Sequence, residues 1–306
     1  MLLAAWAGVA CIGSLSAGAD PAESFNLVEP APGVFVHVGR QLALTAPGHD
    51  DIANIGFIVG SKCVAVIDTG GSVATGRALH AAIVRSTSLP ICYVINTHVH
   101  VDHVLGNFAF VRDRPSFVGS ATLGDAVLRS AHFFLSEYPE DFSGPPTANQ
   151  VIGPDRLVEH EMTLELGHRR ITLRAWPPAH TDCDLTVWDD HTGTLWTGDL
   201  LFRDRLPALD GSIRGWLAAL AELGRMHVKL AIPGHGAPTD NLAAAIVPER
   251  HYLQTLVDGV RDQLAAGKPM QDAVEQVGVA EKSHWLLWDG VHQRNVARVY
   301  QELEWE

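Results

Sequence analysis

Three histidines and an aspartate occur within six residues of the segment INTHVHVDHVLGN, residues 95–107. In an extended chain, residues two positions apart point the same way, so His98 and His100 share a direction. Asp102 and His103 follow where the chain turns, and they can point back toward the same space. Imidazole nitrogens and carboxylate oxygens bind zinc at about 2.0–2.2 Å. The segment therefore predicts a metal site at the end of a strand.

Four neighbouring ligands cannot all reach one tetrahedral ion without strain, so we expect them to divide between two ions. Each ion then needs partners from elsewhere in the chain. Candidates follow three other predicted strands: His180 in WPPAHTD, Asp199 in LWTGDLLF and His235 in LAIPGHGAP. Glycines beside Asp199 and His235 permit sharp turns and a close approach of the backbone. We interpret the other histidines as ordinary surface or core residues.

The elements that must position these side chains begin with short β-rich runs. Strands are predicted at residues 33–39, 54–60, 63–68 and 91–97. Between the last two, Ser72 can cap a helix that runs to about Arg85. Strand, helix and strand in this order form a βαβ unit, so we expect its two strands to be parallel.

The second half of the chain repeats this alternation. A helix-like stretch covers 120–137 and a loop rich in Pro, Gly and Asn covers 138–156, followed by strands at 170–176, 184–189, 194–197 and 228–234, with a helix at 212–223 before the last of them. Apolar stripes at helical spacing follow toward the C-terminus. Two similar halves, each ending in a strand and then a histidine, favour an α/β fold with two sheets packed face to face and helices outside.

Composition narrows the classes of function. The formal net charge of the 306-residue chain is −13, and 47% of its residues are hydrophobic. The sequence contains no basic stripe of the kind that nucleic-acid binders carry, so we expect no nucleic-acid partner. We expect a small-molecule substrate instead. After the N-terminal segment, no apolar run is long enough to cross a bilayer, so we expect no stable membrane association.

The N-terminal segment reads as an export signal. Residues 1–19 carry no charge, contain an apolar run and end in Ala17-Gly18-Ala19. This pattern is typical of a cleavable signal peptide, so we predict a periplasmic or secreted protein whose single domain covers 20–306. The alternative is a buried N-terminal helix, which would leave the protein in the cytoplasm.

Signal cleavage would leave an odd number of cysteines, which rules out a complete disulfide framework. Cys63 and Cys92 both begin apolar strand-like runs, and we interpret them as small core residues. A bridge between them is conceivable only if their strands are neighbours. Cys183 follows His180 by three positions and could lie near the metal site.

The order and spacing of the seven candidate ligands resemble those of the metallo-β-lactamase-fold hydrolase superfamily. An aspartate at position 199, where some members have cysteine, makes the pattern look most like the glyoxalase II type. The resemblance implies a four-layer αββα sandwich and two zinc ions per chain. It assigns one ion to His98, His100 and His180, and the second to Asp102, His103 and His235. It also implies that Asp199 bridges the ions and that Asp68, in AVIDTGGS, supports the site.

Four longer stretches suggest a closer relationship. DDIANIGFIVG, HVHVDHVLGN, RLPALDGSIRGWLAAL and the ending YQELEWE resemble the SoxH-type or quinoprotein relay system zinc metallohydrolases. These are exported proteins associated with periplasmic oxidation systems. The resemblance therefore implies a partner in such a system, in agreement with the predicted signal peptide.

These features favour a dinuclear-zinc hydrolase that uses a metal-bound hydroxide to cleave a small thioester, ester or lactone. Asp102 and Asp199 would be catalytic as well as metal ligands, because they would orient the hydroxide. We expect the loop 138–156 and the segment 202–210 to form the walls of the pocket. The alternatives are a metallo-β-lactamase, a mono-iron persulfide dioxygenase and a non-catalytic metal-binding partner of a quinoprotein.

Overall fold

Two β-sheets packed face to face organise the computed structural model, which describes residues 25–305. The predicted signal peptide, residues 1–19, lies outside the described residues. The first sheet has seven strands in sequence order: β1 (Val28–Ala31), β2 (Val34–His37), β3 (Ile55–Val59), β4 (Val64–Ile67), β5 (Ile91–Ile95), β6 (Ser116–Ser120) and β7 (Arg156–Val158). Strands β1 to β4 are antiparallel, and β4 to β7 are parallel.

The second sheet has five strands in the order β12-β11-β10-β9-β8. They are β8 (Glu161–Glu165), β9 (Arg170–Ala175), β10 (Leu185–Asp189), β11 (Thr194–Phe202) and β12 (Leu230–His235). Strands β8 to β11 are antiparallel, whereas β11 and β12 are parallel. Each sheet therefore contains a parallel pair whose carboxyl ends can contribute side chains to one shared rim.

Helices cover the outer faces of both sheets. They are α1 (Val73–Ser86), α2 (Val101–Val104), α3 (Leu123–Glu137), α4 (Ile213–Leu223), α5 (Leu242–Ala265), α6 (Met270–Gln276) and α7 (Val291–Leu303). Ser72 caps α1 as predicted, with its hydroxyl accepting from Thr75 N at 2.9 Å. Within residues 25–305, no helix combines the length and apolarity that a membrane span needs.

Three apolar layers hold the sandwich together. Between the sheets, Val36 and Ile67 of the first sheet pack in one cluster with Val187 and Trp196 of the second. Two further clusters join the outer face of each sheet to its helices. The cluster outside the first sheet includes Phe57, Val66, Leu79 and Ile83. The cluster outside the second sheet includes Leu195, Ala231, Trp216, Leu253 and Val296. Burial on both faces of both sheets confirms the αββα sandwich.

Several strand boundaries differ from the predictions. Strand β11 continues to Phe202 rather than ending at 197, and all nine of its residues are buried. Polar Asp199 interrupts its apolar pattern, which is why the strand was predicted to end before it. Strands β1, β6, β7 and β8 were not predicted, because each is short and carries Ser, Arg or Glu on a partly exposed face.

The structure also corrects the interpretation of two cysteines. Cys63 and Cys92 form a disulfide, with their Cα atoms 5.7 Å apart, rather than being separate core residues. The register of the parallel strands explains the pairing, because Val64 lies opposite Ile91 and the two cysteines flank that pair. The sequence alone did not show that β4 and β5 are neighbours in this register.

Removal of this disulfide should lower stability. The bond closes a loop with a sequence separation of 29 residues. Replacing both Cys63 and Cys92 with Ala should therefore lower the unfolding free energy by about 2–4 kcal/mol. Chemical denaturation of both proteins, with and without reductant, measures the difference. The variant should be insensitive to reductant. Equal unfolding midpoints for the oxidised protein and the variant would contradict the prediction.

Candidate metal centre

The structure brings all seven candidate ligands together at the rim where the parallel strands end. They form two groups in which the ligand atoms lie within 4.8 Å of one another: His98, His100, His180 and Asp199, and then Asp102, His103 and His235. Except for the half-buried His100, every one of these side chains is buried. The division is the one that the resemblance implied, with Asp199 placed in the first group.

Both sheets contribute to this rim. The segment after β5 and the short helix α2 carry the first four candidate ligands, and the second sheet and one of its loops carry the other three. His180 lies in the loop between β9 and β10, while Asp199 lies inside β11 and His235 is the last residue of β12. A backbone hydrogen bond of 2.8 Å from Leu185 N to Thr97 O joins the two sheets beside the site.

The Asp199 carboxylate occupies the centre of the arrangement. Its Oδ1 lies 3.2 Å from His103 Nε2, and its Oδ2 lies 3.3 Å from His235 Nε2 and 3.4 Å from His180 Nε2. One carboxylate therefore faces both groups. Gly234 makes room for it, because a Cβ at that position would lie 1.8 Å from Asp199 Oδ1.

Hydrogen bonds behind the histidines fix which ring nitrogen faces inward. The Nδ1 atoms of four rings bind groups outside the cluster: His98 to Thr97 Oγ1 (3.0 Å), His103 to Asp68 Oδ2 (2.8 Å), His180 to Ala208 O (2.6 Å) and His235 to Ile52 O (2.8 Å). His100 has the opposite orientation, because its Nε2 binds Asp210 Oδ2 at 2.9 Å. Such outward bonds orient imidazoles for metal coordination.

Asp68 organises the first sheet's side of the site. Its carboxylate accepts from Thr97 N at 2.8 Å, from Thr97 Oγ1 at 2.7 Å and from His103 Nδ1 at 2.8 Å. Because Thr97 Oγ1 donates to Asp68, its remaining lone pairs can accept from His98 Nδ1. Asp68 is buried and has a φ of 53°, which turns the chain at the end of β4. Asp68 thus supports two candidate ligands, directly and through Thr97.

The protonation states of these groups suit a divalent cation. Burial lowers the pKa of His98 well below its usual value and that of His180 to about 3, so both rings are neutral. Burial opposes ionisation of Asp199, but the nearby His235 and His103 outweigh it and hold its pKa well below the usual range. Neutral imidazoles and an ionised carboxylate are the forms that bind metal.

Unsatisfied atoms point to the same conclusion. His103 Nε2 and Asp199 Oδ1 are buried and lie 3.2 Å apart without the alignment of a hydrogen bond, and neither atom has another partner within the described part of the chain. Burial opposes protonation of His103, yet Asp199, Asp68 and Asp102 together raise its pKa well above the usual value. A divalent cation would satisfy both atoms and replace that proton. The residues present therefore fit a metal centre.

A cavity of about 570 Å³ opens onto this centre. The segment 202–210 lines it through Phe202, Arg205, Ala208 and Asp210, but of the loop 138–156 only Tyr138 does so. The expectation that this loop forms a wall is therefore largely wrong. The opposite walls come from α3 and α7, with Arg129, Ser130, Phe133, Phe134, Arg294 and Arg298. In the sequence, the α7 wall is indicated by the spacing of Arg294 and Arg298, which are four residues apart.

Cys183 lies outside both groups of candidate ligands. It is buried, and its Sγ contacts Thr181 Oγ1 at 3.4 Å. Burial raises the pKa of the thiol far above its usual value, so the thiolate that binds metal is not formed. Its proximity to His180 in sequence does not make it a ligand.

A buried glutamate behind the centre gives a testable pH dependence. Glu249 Oε1 accepts from Phe202 N at 3.2 Å, and burial raises the pKa of the carboxyl well above 4.5. The folded state therefore retains a proton that the unfolded chain releases. The contribution of Glu249 to stability should be greatest below its unfolded pKa and should be lost as pH rises through its folded pKa.

Replacing Glu249 with Gln removes this titration. Relative to the unchanged protein, the variant should gain unfolding free energy as pH rises from 5 to 8. Denaturant unfolding at several pH values measures the difference, and the exposed Glu275→Gln on α6 is the matched control. Parallel pH profiles for the unchanged protein and Glu249→Gln would contradict the prediction.

The sequence model of the metallo-beta-lactamase superfamily matches residues 49–235, more than half of the chain. This range begins in the segment before β3 and includes every candidate ligand through His235.

Solved structures share the fold at low sequence identity. A double mutant of the sec-alkyl sulfatase PisA1, a Pseudomonas sp. protein, aligns with a TM-score of 0.68 at 17% identity, and the alignment covers 92% of this chain and 50% of the sulfatase. A metallo-beta-lactamase from Pontibacter korlensis gives 0.60 at 18%, covering 75% and 98%. The enzyme TMB-1 gives 0.56 at 18%, covering 75% and 96%. The chain thus spans half the length of the sulfatase.

Proposed function

Because the chain belongs to the metallo-beta-lactamase superfamily, whose members are metal-dependent hydrolases, we propose that it is a dinuclear-zinc hydrolase of small thioesters, esters or lactones. The convergence of six other candidate ligands around Asp199 is the observation that carries this proposal. Three histidines and Asp199 would hold one ion. Asp102, His103 and His235 would hold the second, which Asp199 also faces.

Two bound zinc ions would lower the pKa of a water molecule and polarise the scissile carbonyl. The chain's own residues position the reactants. Asp102 and Asp199 are buried carboxylates. Burial raises the pKa of each carboxyl, but the neighbouring His103 and His235 outweigh this effect and hold both pKa values below the usual range. As ionised acceptors, they orient the attacking water by accepting its hydrogen bonds. The apolar side chains of Phe133 and Phe134 help to exclude bulk water from the cavity.

Metal analysis tests the first part of the proposal. Protein purified without added metal should contain close to two zinc ions per chain by elemental analysis. One iron and no zinc, together with oxygen uptake in the presence of a persulfide, would favour the dioxygenase alternative. Bound zinc with no hydrolysis of any ester, thioester, lactone or β-lactam would favour the non-catalytic alternative.

The second part of the proposal is the preference for one class of substrate. A thiolate leaves easily, so a thioester needs only delivery of the nucleophile and polarisation of the carbonyl. A β-lactam also needs stabilisation of a poor amine leaving group. We therefore expect kcat/KM to be higher for an acyl-glutathione thioester, an aryl ester or a lactone than for a cephalosporin. A clear preference for the cephalosporin would replace this proposal with the metallo-β-lactamase alternative.

We further propose a periplasmic location and a place among the SoxH-type or quinoprotein relay system hydrolases. The Cys63–Cys92 disulfide supports an oxidising compartment, because stable disulfides are rare in reducing cytosol. Mass spectrometry of the native protein should find a mature start near Asp20. Pull-down from a periplasmic extract should recover an oxidation-system protein. Intact Met1 on soluble cytoplasmic protein would refute the location.

A further inference from the structure

Two arginines of α7 line the cavity in front of the candidate metal centre. Arg294 and Arg298 are four residues apart, so their side chains lie on the same face of the helix. Both side chains are about half exposed, at 49% and 50%, and both border the cavity. They therefore present guanidinium groups to any molecule that enters the site.

Their contacts leave these guanidinium groups able to bind a ligand. Each lies 3.7 Å from one oxygen of Asp210, which is longer than a hydrogen bond. Asp210 itself accepts from His100 Nε2 at 2.9 Å. Arg129, on the opposite wall, instead forms a 2.7 Å bond to Asp182. A single carboxylate, already bound to His100, thus faces both α7 arginines, and the local charge on this wall is positive.

The other side of the cavity is different in character. Val99, Phe133 and Phe134 give it an apolar part, beside the paired Arg129 and Asp182. A substrate with an apolar chain and one anionic end would match both sides at once. Planar guanidinium groups bind carboxylates through paired N–H donors, which gives them direction as well as charge.

We propose that Arg294 and Arg298 form a carboxylate subsite, so that the enzyme selects small thioesters or esters whose acyl chain ends in a carboxylate. This inference rests on the proposed hydrolase function and adds the substrate class. Arg294 and Arg298 act on specificity by binding the distal carboxylate. The reacting carbonyl lies at the candidate ligands, on the far side of Asp210 from the two arginines.

A purely structural role makes a different prediction. If the arginines only hold Asp210 against His100, their loss would disturb the candidate ligand His100 and reduce turnover of every substrate alike. A carboxylate subsite instead affects only substrates that carry the anion, and mainly through KM. A matched pair of esters separates these two roles.

The experiment compares 4-nitrophenyl hydrogen adipate with 4-nitrophenyl hexanoate, whose acyl chains are equal in length. The unchanged enzyme should favour the adipate ester in kcat/KM by about fivefold or more, since ion pairs with two half-exposed arginines together contribute about 1 kcal/mol or more. In the double variant Arg294→Gln/Arg298→Gln this preference should disappear, mainly through a higher KM. Its kcat/KM for the hexanoate ester should stay within about twofold, and the exposed Arg225→Gln on the turn after α4 is the matched control.

Salt provides a measurement that needs no variant. Raising the ionic strength should lower kcat/KM for the adipate ester and leave the hexanoate ester nearly unchanged, because screening weakens the attraction between half-exposed charges. Binding of adipate itself, followed by calorimetry, should weaken about fivefold or more in the double variant.

These readouts separate the subsite from the proposed function. If neither ester is hydrolysed but adipate binding depends on the two arginines, the hydrolase proposal fails and the subsite stands. An equal loss for both esters, a preference that persists in the double variant, or no preference in the unchanged enzyme would each overturn the subsite.

Discussion

Alanine in place of Asp199 is expected to abolish hydrolysis and to reduce the metal content of both groups. The Asp199 carboxylate faces His103 at 3.2 Å, His235 at 3.3 Å and His180 at 3.4 Å, so its removal takes a negative ligand from the centre of the site. Outer-sphere partners of metal ligands typically contribute about 10–100-fold to affinity or activity. Loss of a bridging ligand should exceed that range. Elemental analysis and kcat/KM on an aryl ester, measured on the same preparation, check both effects.

The exposed Asp190→Ala is the matched control, because it removes a carboxylate from the turn after β10 without touching the centre. It should keep its metal and its activity. Undiminished metal in Asp199→Ala would exclude Asp199 from the ligands. Lost activity with both metals retained would leave Asp199 a role only in orienting the reacting water.

Replacing Asp68 with alanine should have the second-largest effect, mostly on stability. The carboxylate satisfies Thr97 N, Thr97 Oγ1 and His103 Nδ1, and all of these groups are buried. Breaking a buried charged pair by removing one partner costs about 3–5 kcal/mol. His103 would also lose the bond that fixes its inward nitrogen, so metal in the second group should fall. Denaturant unfolding of the metal-free protein separates the first effect from the second.

A surface pair of the same chemistry provides the control. His80 Nε2 lies 3.0 Å from Asp113 Oδ2, and both side chains are about 30% exposed (30% and 29%). Asp113→Ala should therefore cost no more than about 1 kcal/mol, as is usual for solvent-exposed pairs. If the two alanine variants unfold at the same denaturant concentration, the argument from burial at Asp68 is wrong.

Much of the fold could be predicted because its signals are local. The βαβ unit around α1 follows from a Ser72 cap and two apolar runs, and the structure confirms helix, cap and parallel pairing. The segment from His98 to His103 carries its spacing in six consecutive positions. Its side chains meet because an extended segment passes directly into α2. That these residues bind metal stays a prediction.

Features that depend on distant pairing could not be predicted. The Cys63–Cys92 bond requires knowledge of which strands are neighbours and in what register. The continuation of β11 through Asp199 depends on the surrounding histidines, which provide a polar setting inside the sheet. Arg294 and Arg298 are separated from the candidate ligands by a long stretch of chain, and only the packing of α7 brings them to the cavity.

The division of the candidate ligands between the two sheets links folding to metal supply. One cation held by His98 and Asp199, and a second held by His103 and His235, would each join ligands from the two sheets and so cross-link both halves of the sandwich. The native chain would then gain about 1.4 kcal/mol per site for each tenfold rise in free metal above the dissociation constant. The melting temperature would therefore report the metal availability of the compartment in which the chain folds. Chelation would first weaken the contact between the sheets.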